Sequence, residues 1–311
     1  MSEVIRKYLR RWVDTWDRFW FTPSQAHALS LMRIALGLLL VYTHVVWTFE
    51  LDLFFANSGF FSLEYRQAFA DGSPFMWSHF DWSESAGWRW GSHLLAILIL
   101  IAYTVGWQTR ITAILSFLIV VSYAHRAGGA LFGLDQINGF LALYLGIGPC
   151  GQHYSLDAKL RTKRQQPEPP LASTTATISM RLIQCHLCIV YLFAGLGKLQ
   201  GSTWWDGTAI WGALASYEYQ TLDMTWLVYL PWLVNIITLV SVFWELSYAF
   251  MIWRPLTRPL YLLLAVFVHL GIGLAMGMMT FGFVMLIANC AFVDPKLVQS
   301  LTNRFVARAG Q

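Results

Sequence analysis

Read by hydropathy, the chain is a succession of long apolar stretches with short polar breaks. The stretches fall at about 25–47, 90–107, 111–127, 133–150, 177–199, 226–250, 258–277 and 280–294. A helix needs about 20 largely apolar residues to cross the hydrocarbon of a bilayer. Backbone groups cannot stay unpaired in lipid, so these stretches are predicted as helices. The eighth is short, and its separation from the seventh rests on the segment Gly277–Thr280. Ahead of them, Trp12, Trp16, Phe19 and Trp20 recur at helical spacing, with Arg6, Lys7, Arg10 and Arg11 on the other face. That pattern predicts an amphipathic helix lying in the membrane surface. Thr22-Pro23 then reads as the N-cap and first turn of the first span. The expected fold is an all-α integral membrane protein, a polytopic bundle of about eight transmembrane helices with an N-terminal interfacial helix. Its parts would be an interfacial helix (1–22), a transmembrane domain (23–294) and a cytoplasmic tail (295–311).

Composition agrees with that pattern. Of 311 residues, 57% are hydrophobic and 12% charged, against roughly 25% charged in soluble domains. A net charge of +4 carries no nucleic-acid signature, but its distribution is informative. Arginines and lysines outside the spans cluster on alternate segments: residues 1–21, Arg110, the 151–176 loop, Arg254 with Arg258, and the tail with Lys296, Arg304 and Arg308. The other loops hold Arg66, Arg89 and Arg126. Fifteen against three predicts both termini in the cytoplasm and an even number of spans, in a cell inner membrane. The 48–89 loop, rich in aromatics and in acids such as Asp52, Asp71 and Asp81, belongs outside. The 151–176 loop, with its QQPEPP run, reads as a cytoplasmic connection. Cys150, Cys185, Cys188 and Cys290 all lie in or beside apolar segments, which does not read as a disulfide framework. The basic N-terminus is followed by too long an apolar run, without a small-residue cleavage site, to be a signal peptide.

Polar residues within the spans are the candidates for chemistry, because an ionisable group in hydrocarbon is costly. Arg181 is close enough to its span end to reach the interface. Arg33 lies two to three turns deep, and Glu245 lies at a similar depth from the same side, so an Arg33–Glu245 structural ion pair is expected. On the outer side, Lys198 ends the fifth span, Asp135 and Asn138 begin the fourth, and His269 lies 11 residues into the seventh. A lysine, a carboxylate, an amide and an imidazole would then share one layer. Desolvation lowers a lysine pKa, the route by which such a lysine becomes a general base. The alternative is that Lys198 reaches for the interface while Asp135 caps its helix. Cys185-His186-Leu187-Cys188 has no second pair of metal ligands and reads as packing. Gly273-xxx-Gly277 and Gly197-xxx-Gly201 read as sites of close helix approach. Met276, Met278 and Met279 read as core.

Several segments carry a resemblance: LSLMRIALGLLLV (29–41), INGFLALYL (137–145) with HYSLD (153–157), IVYLFAGLGKL…WWDG (189–207), ELSYAF (245–250), and the span from Arg258 through His269 to FGFVML (281–286). In this order they resemble the transmembrane part of the vitamin K-dependent γ-glutamyl carboxylase family, the HTTM domain. In that family the lysine matched by Lys198 is taken as the base that deprotonates vitamin K hydroquinone. The resemblance implies a reduced vitamin K or other menaquinol-type quinone as cofactor, with Lys198, His269 and Asp135 as catalytic candidates. It adds Asn138, Trp204 and Trp205 as candidate cofactor contacts. The chain departs from the family at Leu134, where a functional histidine is expected, and at Gly197, where the family has a second lysine. Glu245 replaces an aspartate. A short chain without the large lumenal region is not expected to carboxylate glutamate.

Two functions remain open on sequence. One is a membrane enzyme that binds a reduced isoprenoid quinone and uses Lys198 as base. The other is a non-catalytic helper in peptide maturation or export, with a peptide or small protein as partner. A transporter or lipid-binding bundle ranks last, because inverted repeats are not evident.

Overall fold

The computed structural model describes residues 3–300 apart from 71, 72, 74 and 296. Asp71, Lys296, Arg304 and Arg308, used in the charge argument, lie outside the described residues. The chain divides into two compact units, 1–182 with 293–311, and 183–292. Among the described residues, apart from one pair of two-residue strands, the regular elements are helices.

The first unit begins with α1 (Glu3–Phe21), as the amphipathic pattern predicts. Trp12 and Trp16 stack with centroids 5.8 Å apart. The end of α1 is fixed by Arg181, whose Nε donates to the Phe19 carbonyl (3.1 Å) and whose guanidinium lies 4.3 Å from the Phe19 ring centroid. The first span starts later than expected. Ser24–Gln25 (β1) pair antiparallel with Ala172–Ser173 (β2), and α2 then runs over His27–Phe49. Thr22 therefore does not cap α2. Its carbonyl instead accepts from the Thr177 hydroxyl, and the strand pairing keeps this stretch extended.

The short helices α3 (Leu51–Phe55) and α4 (Leu63–Ala70) follow within the aromatic loop. Arg126 fastens that loop from below. Its side chain is buried and donates to the carbonyls of Phe61 and Phe55 and to Asn57 Oδ1. Two ion pairs complete the fastening, Arg66–Asp81 at 2.8 Å and Arg89–Asp52 at 2.6 Å. Next come α5 (Ala86–Val105), α6 (Thr109–Arg126), α7 (Gly133–Ile147) and α8 (Leu156–Lys163). The core of this unit is Leu29, Met32, Leu36, Leu100, Tyr103, Leu141 and Leu145, all buried. Gly37 lets α2 approach α5 closely, since a Cβ there would lie 2.4 Å from Thr104 Oγ1.

Helix α9 (Thr174–Lys198) begins in the first unit and continues into the second. The second unit adds two short helices, α10 (Ser202–Trp205) and α11 (Ala209–Leu214). The sixth apolar stretch is helical from Pro231, giving α12 (Pro231–Met251), while Thr225–Tyr229 forms a separate 3₁₀ turn. Proline suits a first helical turn and excludes Leu230 from helical geometry, which places the break. Helices α13 (Arg258–Ala275) and α14 (Met279–Asn289) are distinct. The chain turns between them at Gly277, whose φ of +71° favours glycine, and Thr221 N–H caps the Ala275 carbonyl. Gly282 then allows α14 to lie against the His269 backbone, because a Cβ would meet the His269 oxygen at 2.5 Å.

Helices thus occupy each of the eight apolar stretches. Five of them (α2, α5, α9, α12 and α13) are long and apolar enough to cross a membrane.

Candidate functional site

The polar centre of the second unit is built on α9. Tyr191 and Lys198 are seven residues apart and so lie on one helix face. Lys198 Nζ donates to Glu245 Oε2 on α12 at 2.6 Å, with side-chain exposures of 23% and 12%. The ammonium also lies 5.2 Å from the Trp204 ring centroid. Taking either charge out of water alone would be costly, and a short charge-assisted hydrogen bond offsets that cost. Lys198 is therefore paired within its own unit.

Arg33 and Glu245, expected as an ion pair, lie in different units, and each has partners within its own unit. Arg33 is fully buried and donates to two carbonyls, Cys150 (Nη1, 3.1 Å) and Tyr154 (Nη2, 2.6 Å). A cation can be held by carbonyl dipoles alone when its planar fork fits them. This close fit needs Gly106, where φ is +74° and a Cβ would lie 2.5 Å from Arg33 Nη1.

Around Tyr191 a second set of polar groups is buried. His269 Nε2 lies 2.6 Å from Tyr191 Oη, Asn289 Nδ2 donates to the same oxygen at 2.9 Å, and Tyr248 Oη donates to Asn289 Oδ1 at 2.6 Å. Trp244 packs edge-on against Tyr191, with ring centroids 4.9 Å apart. His269 Nδ1 is buried and makes no hydrogen bond. Three elements of the unit, α9, α13 and α14, therefore meet at one phenolic oxygen. Sequence reasoning had singled out His269 but missed Tyr191, Tyr248 and Asn289. The available signals were the shared face of Tyr191 and Lys198, and an amide in the apolar run Ile287–Phe292.

The turn after α9 explains the WWDG segment. Asp206 Oδ1 accepts from the Thr208 N–H and hydroxyl, and Asn235 Nδ2 donates to the carbonyls of Asp206 and Gly207. Gly207 has φ of +79°, and a Cβ there would meet Asn235 Nδ2 at 2.5 Å. Trp205 is exposed and donates to the Leu199 carbonyl. The expected close approach at Gly197 is not found: a Cβ there meets nothing within 4 Å. Gly195, two residues earlier, lies against Leu246 instead.

Asp135 and Asn138 belong to the first unit. Asp135 Oδ2 accepts from the Phe132 N–H at 3.1 Å and so caps α7. Asn138 is buried, and its Oδ1 makes no hydrogen bond. HYSLD is structural throughout its polar positions. His153 stacks on His27 at 3.8 Å, Ser155 caps α8, and Asp157 accepts from the N–H groups of Gln108 and Thr109 at the start of α6.

The family model for the HTTM domain matches residues 21–296. The chain belongs to the HTTM domain family. Among curated proteins it is similar to two from Bacillus subtilis (strain 168). One is the uncharacterized protein YitO, 26% identical over 216 residues, which are 63% of this chain and 63% of YitO. The other is the sporulation-delaying protein SdpB, 28% identical over 206 residues, which are 65% of this chain and 63% of SdpB. The chain thus spans less than two thirds of the length of either relative. No solved structure matches. The match takes in Lys198, Glu245, Tyr191 and His269, so both polar groupings of the second unit lie inside the HTTM domain.

Proposed function

We propose that this HTTM protein is an eight-span membrane protein, with both termini cytoplasmic, that acts as a non-catalytic helper in the maturation or export of a peptide. The observation that carries this reading is the 2.6 Å contact between Lys198 and Glu245. The contact engages Lys198 with a carboxylate of its own chain instead of leaving it open to a substrate. The pair then acts as a clamp between α9 and α12. The similarity to the sporulation-delaying protein SdpB is compatible with a helper role. Exposed Trp205, next to the clamp, is the position from which a partner is sought. Photo-crosslinking from residue 205 in cells should capture a peptide or small protein, and Lys198→Met should retain that capture if the protein still folds. Failure to crosslink any such partner counts against this reading.

A second reading is favoured by the buried, unpartnered Nδ1 of His269 beside the Tyr191–Asn289 grouping. In it, a reduced isoprenoid quinone binds near α9 and Lys198 accepts the quinol proton after passing its own to Glu245. Menaquinol and oxygen supplied to the purified protein would then yield quinone epoxide and water, and Lys198→Ala would abolish the product. Absence of epoxide with the wild type rejects this chemistry while leaving the helper role intact.

A further inference from the structure

The first unit holds a cleft that neither polar grouping of the second unit involves. It has a volume of about 380 Å³ and lies between the start of α6, the turn Gly146–Gln152, α8 and Pro169. Its walls are held in place. A Cβ on Gly151 would lie 2.5 Å from Thr109 Oγ1, so the turn rests directly on the start of α6. Gln152 Nε2 donates to the Pro170 carbonyl at 2.8 Å and secures the opposite wall.

The acids beside this cleft, Asp157 and Glu168, leave its two arginines without a hydrogen-bonded carboxylate. Asp157, its acid, is already saturated: Oδ1 accepts from Gln108 N–H at 2.9 Å, and Oδ2 accepts from Thr109 N–H at 2.7 Å and its hydroxyl at 2.6 Å. Its charge is committed to the N-terminal end of α6, where a helix dipole favours an anion. Two guanidiniums remain. Arg110 is exposed and makes no hydrogen bond or ion pair with a described residue. Arg161 Nη1 forms an ion pair with the exposed Glu168 at 3.8 Å, too long for a hydrogen bond, and this buried nitrogen has no hydrogen-bond acceptor. A buried guanidinium N–H without an acceptor is costly and calls for an anionic oxygen. Two arginine forks around one cleft suit a tetrahedral oxyanion, whose several oxygens can accept from both.

We propose that this cleft binds a phosphoryl group, with Arg161 and Arg110 as its donors. Two sources share that chemistry, the headgroup of an anionic phospholipid and free phosphate. The cleft borders the 151–176 segment, which carries Lys159, Arg161, Lys163 and Arg164, and a basic segment of that kind attracts anionic lipid headgroups.

The full-length protein, delipidated in detergent, should be titrated with short-chain phosphatidylglycerol in one arm and inorganic phosphate in the other. Arg161→Gln and Arg110→Gln should each weaken binding by about tenfold, the size expected for one charge-assisted contact. Arg161→Lys, which keeps the charge but loses the fork, should recover part of the loss. Unchanged melting temperatures of the variants show that they are folded. Saturable binding of the lipid alone assigns the site to a headgroup, and binding of phosphate alone or with the lipid assigns it to the phosphoryl group itself. No saturable binding in either arm, or binding by both glutamine variants equal to wild type, overturns the proposal.

Discussion

The Lys198 ammonium donates to the Glu245 carboxylate across 2.6 Å, joining the end of α9 to the last two turns of α12. Removing one partner strands the other charge. Breaking a buried pair costs about 3–5 kcal/mol, and the partial exposure of Lys198 moves the expectation to the low end of that range. Lys198→Met and Glu245→Gln should each destabilise, while Lys198→Met/Glu245→Leu together should regain most of the loss. Unfolding of the four proteins in detergent gives the coupling directly. Additive losses would show that the contact contributes nothing to folding.

Tyr191 is the shared partner of His269 and Asn289. Tyr191→Phe keeps the ring packing but removes the oxygen, leaving buried groups on α13 and α14 unpaired. The expected loss is about 1–3 kcal/mol, the desolvation cost of such groups. His269→Leu in the same background should add little further, because Tyr191 is the partner of its Nε2. A substantially additive second loss would mean that the two residues are energetically independent.

Gly106 is required by backbone conformation and by the proximity of Arg33. Gly106→Ala should cost at least about 1–2 kcal/mol from the left-handed conformation alone. Displacement of the Arg33 fork adds to that. Arg33→Lys should also destabilise, since one ammonium cannot reproduce the fork on Cys150 and Tyr154. Thermal unfolding of both variants tests the assignment, and wild-type stability in either contradicts it.

His153, in the loop after α7, is held down to about 4 by burial, with further lowering from His27 and Arg161. The unfolded ring titrates near 6.5. Between those two values the unfolded chain binds a proton that the folded ring refuses, so stability rises with pH across that window. The contribution is present above about pH 6.5 and is lost as the pH falls toward 4. Melting temperature should therefore drop between pH 7 and pH 5, and the drop should be smaller in His153→Gln. An equal drop in both would place the dependence elsewhere.

The eight helical stretches were legible because hydropathy acts on whole segments. The boundaries that moved did so for local reasons absent from a hydropathy argument: the β1–β2 pairing before α2, and Pro231 at the start of α12. Lys198 was legible as an unusual residue, but its partner was not. Counting residues from span ends put Glu245 at the depth of Arg33 and Lys198 on the outer side, yet Lys198 and Glu245 meet at one level, so span ends read from hydropathy do not fix depth. Asp135 illustrates the converse, since a carboxylate in the first turn of a helix is explained by capping its own chain. The Tyr191 grouping escaped because tyrosine and asparagine in an apolar run carry no charge to mark them.

The two-residue ladder that joins Ser24–Gln25 to Ala172–Ser173 fixes a parity. Backbone groups that exchange hydrogen bonds stand at one level, so the chain leaves that level with α2 and returns to it before α9. The intervening excursion must contain an even number of traverses. With α2 and α5 among the long apolar helices, α6 and α7 either both traverse or both turn back, although α7 has only 15 residues. Cysteines introduced at Gln25 and Ala172 should react with an impermeant thiol reagent from the same face of a sealed vesicle. Reaction from opposite faces would contradict the ladder itself.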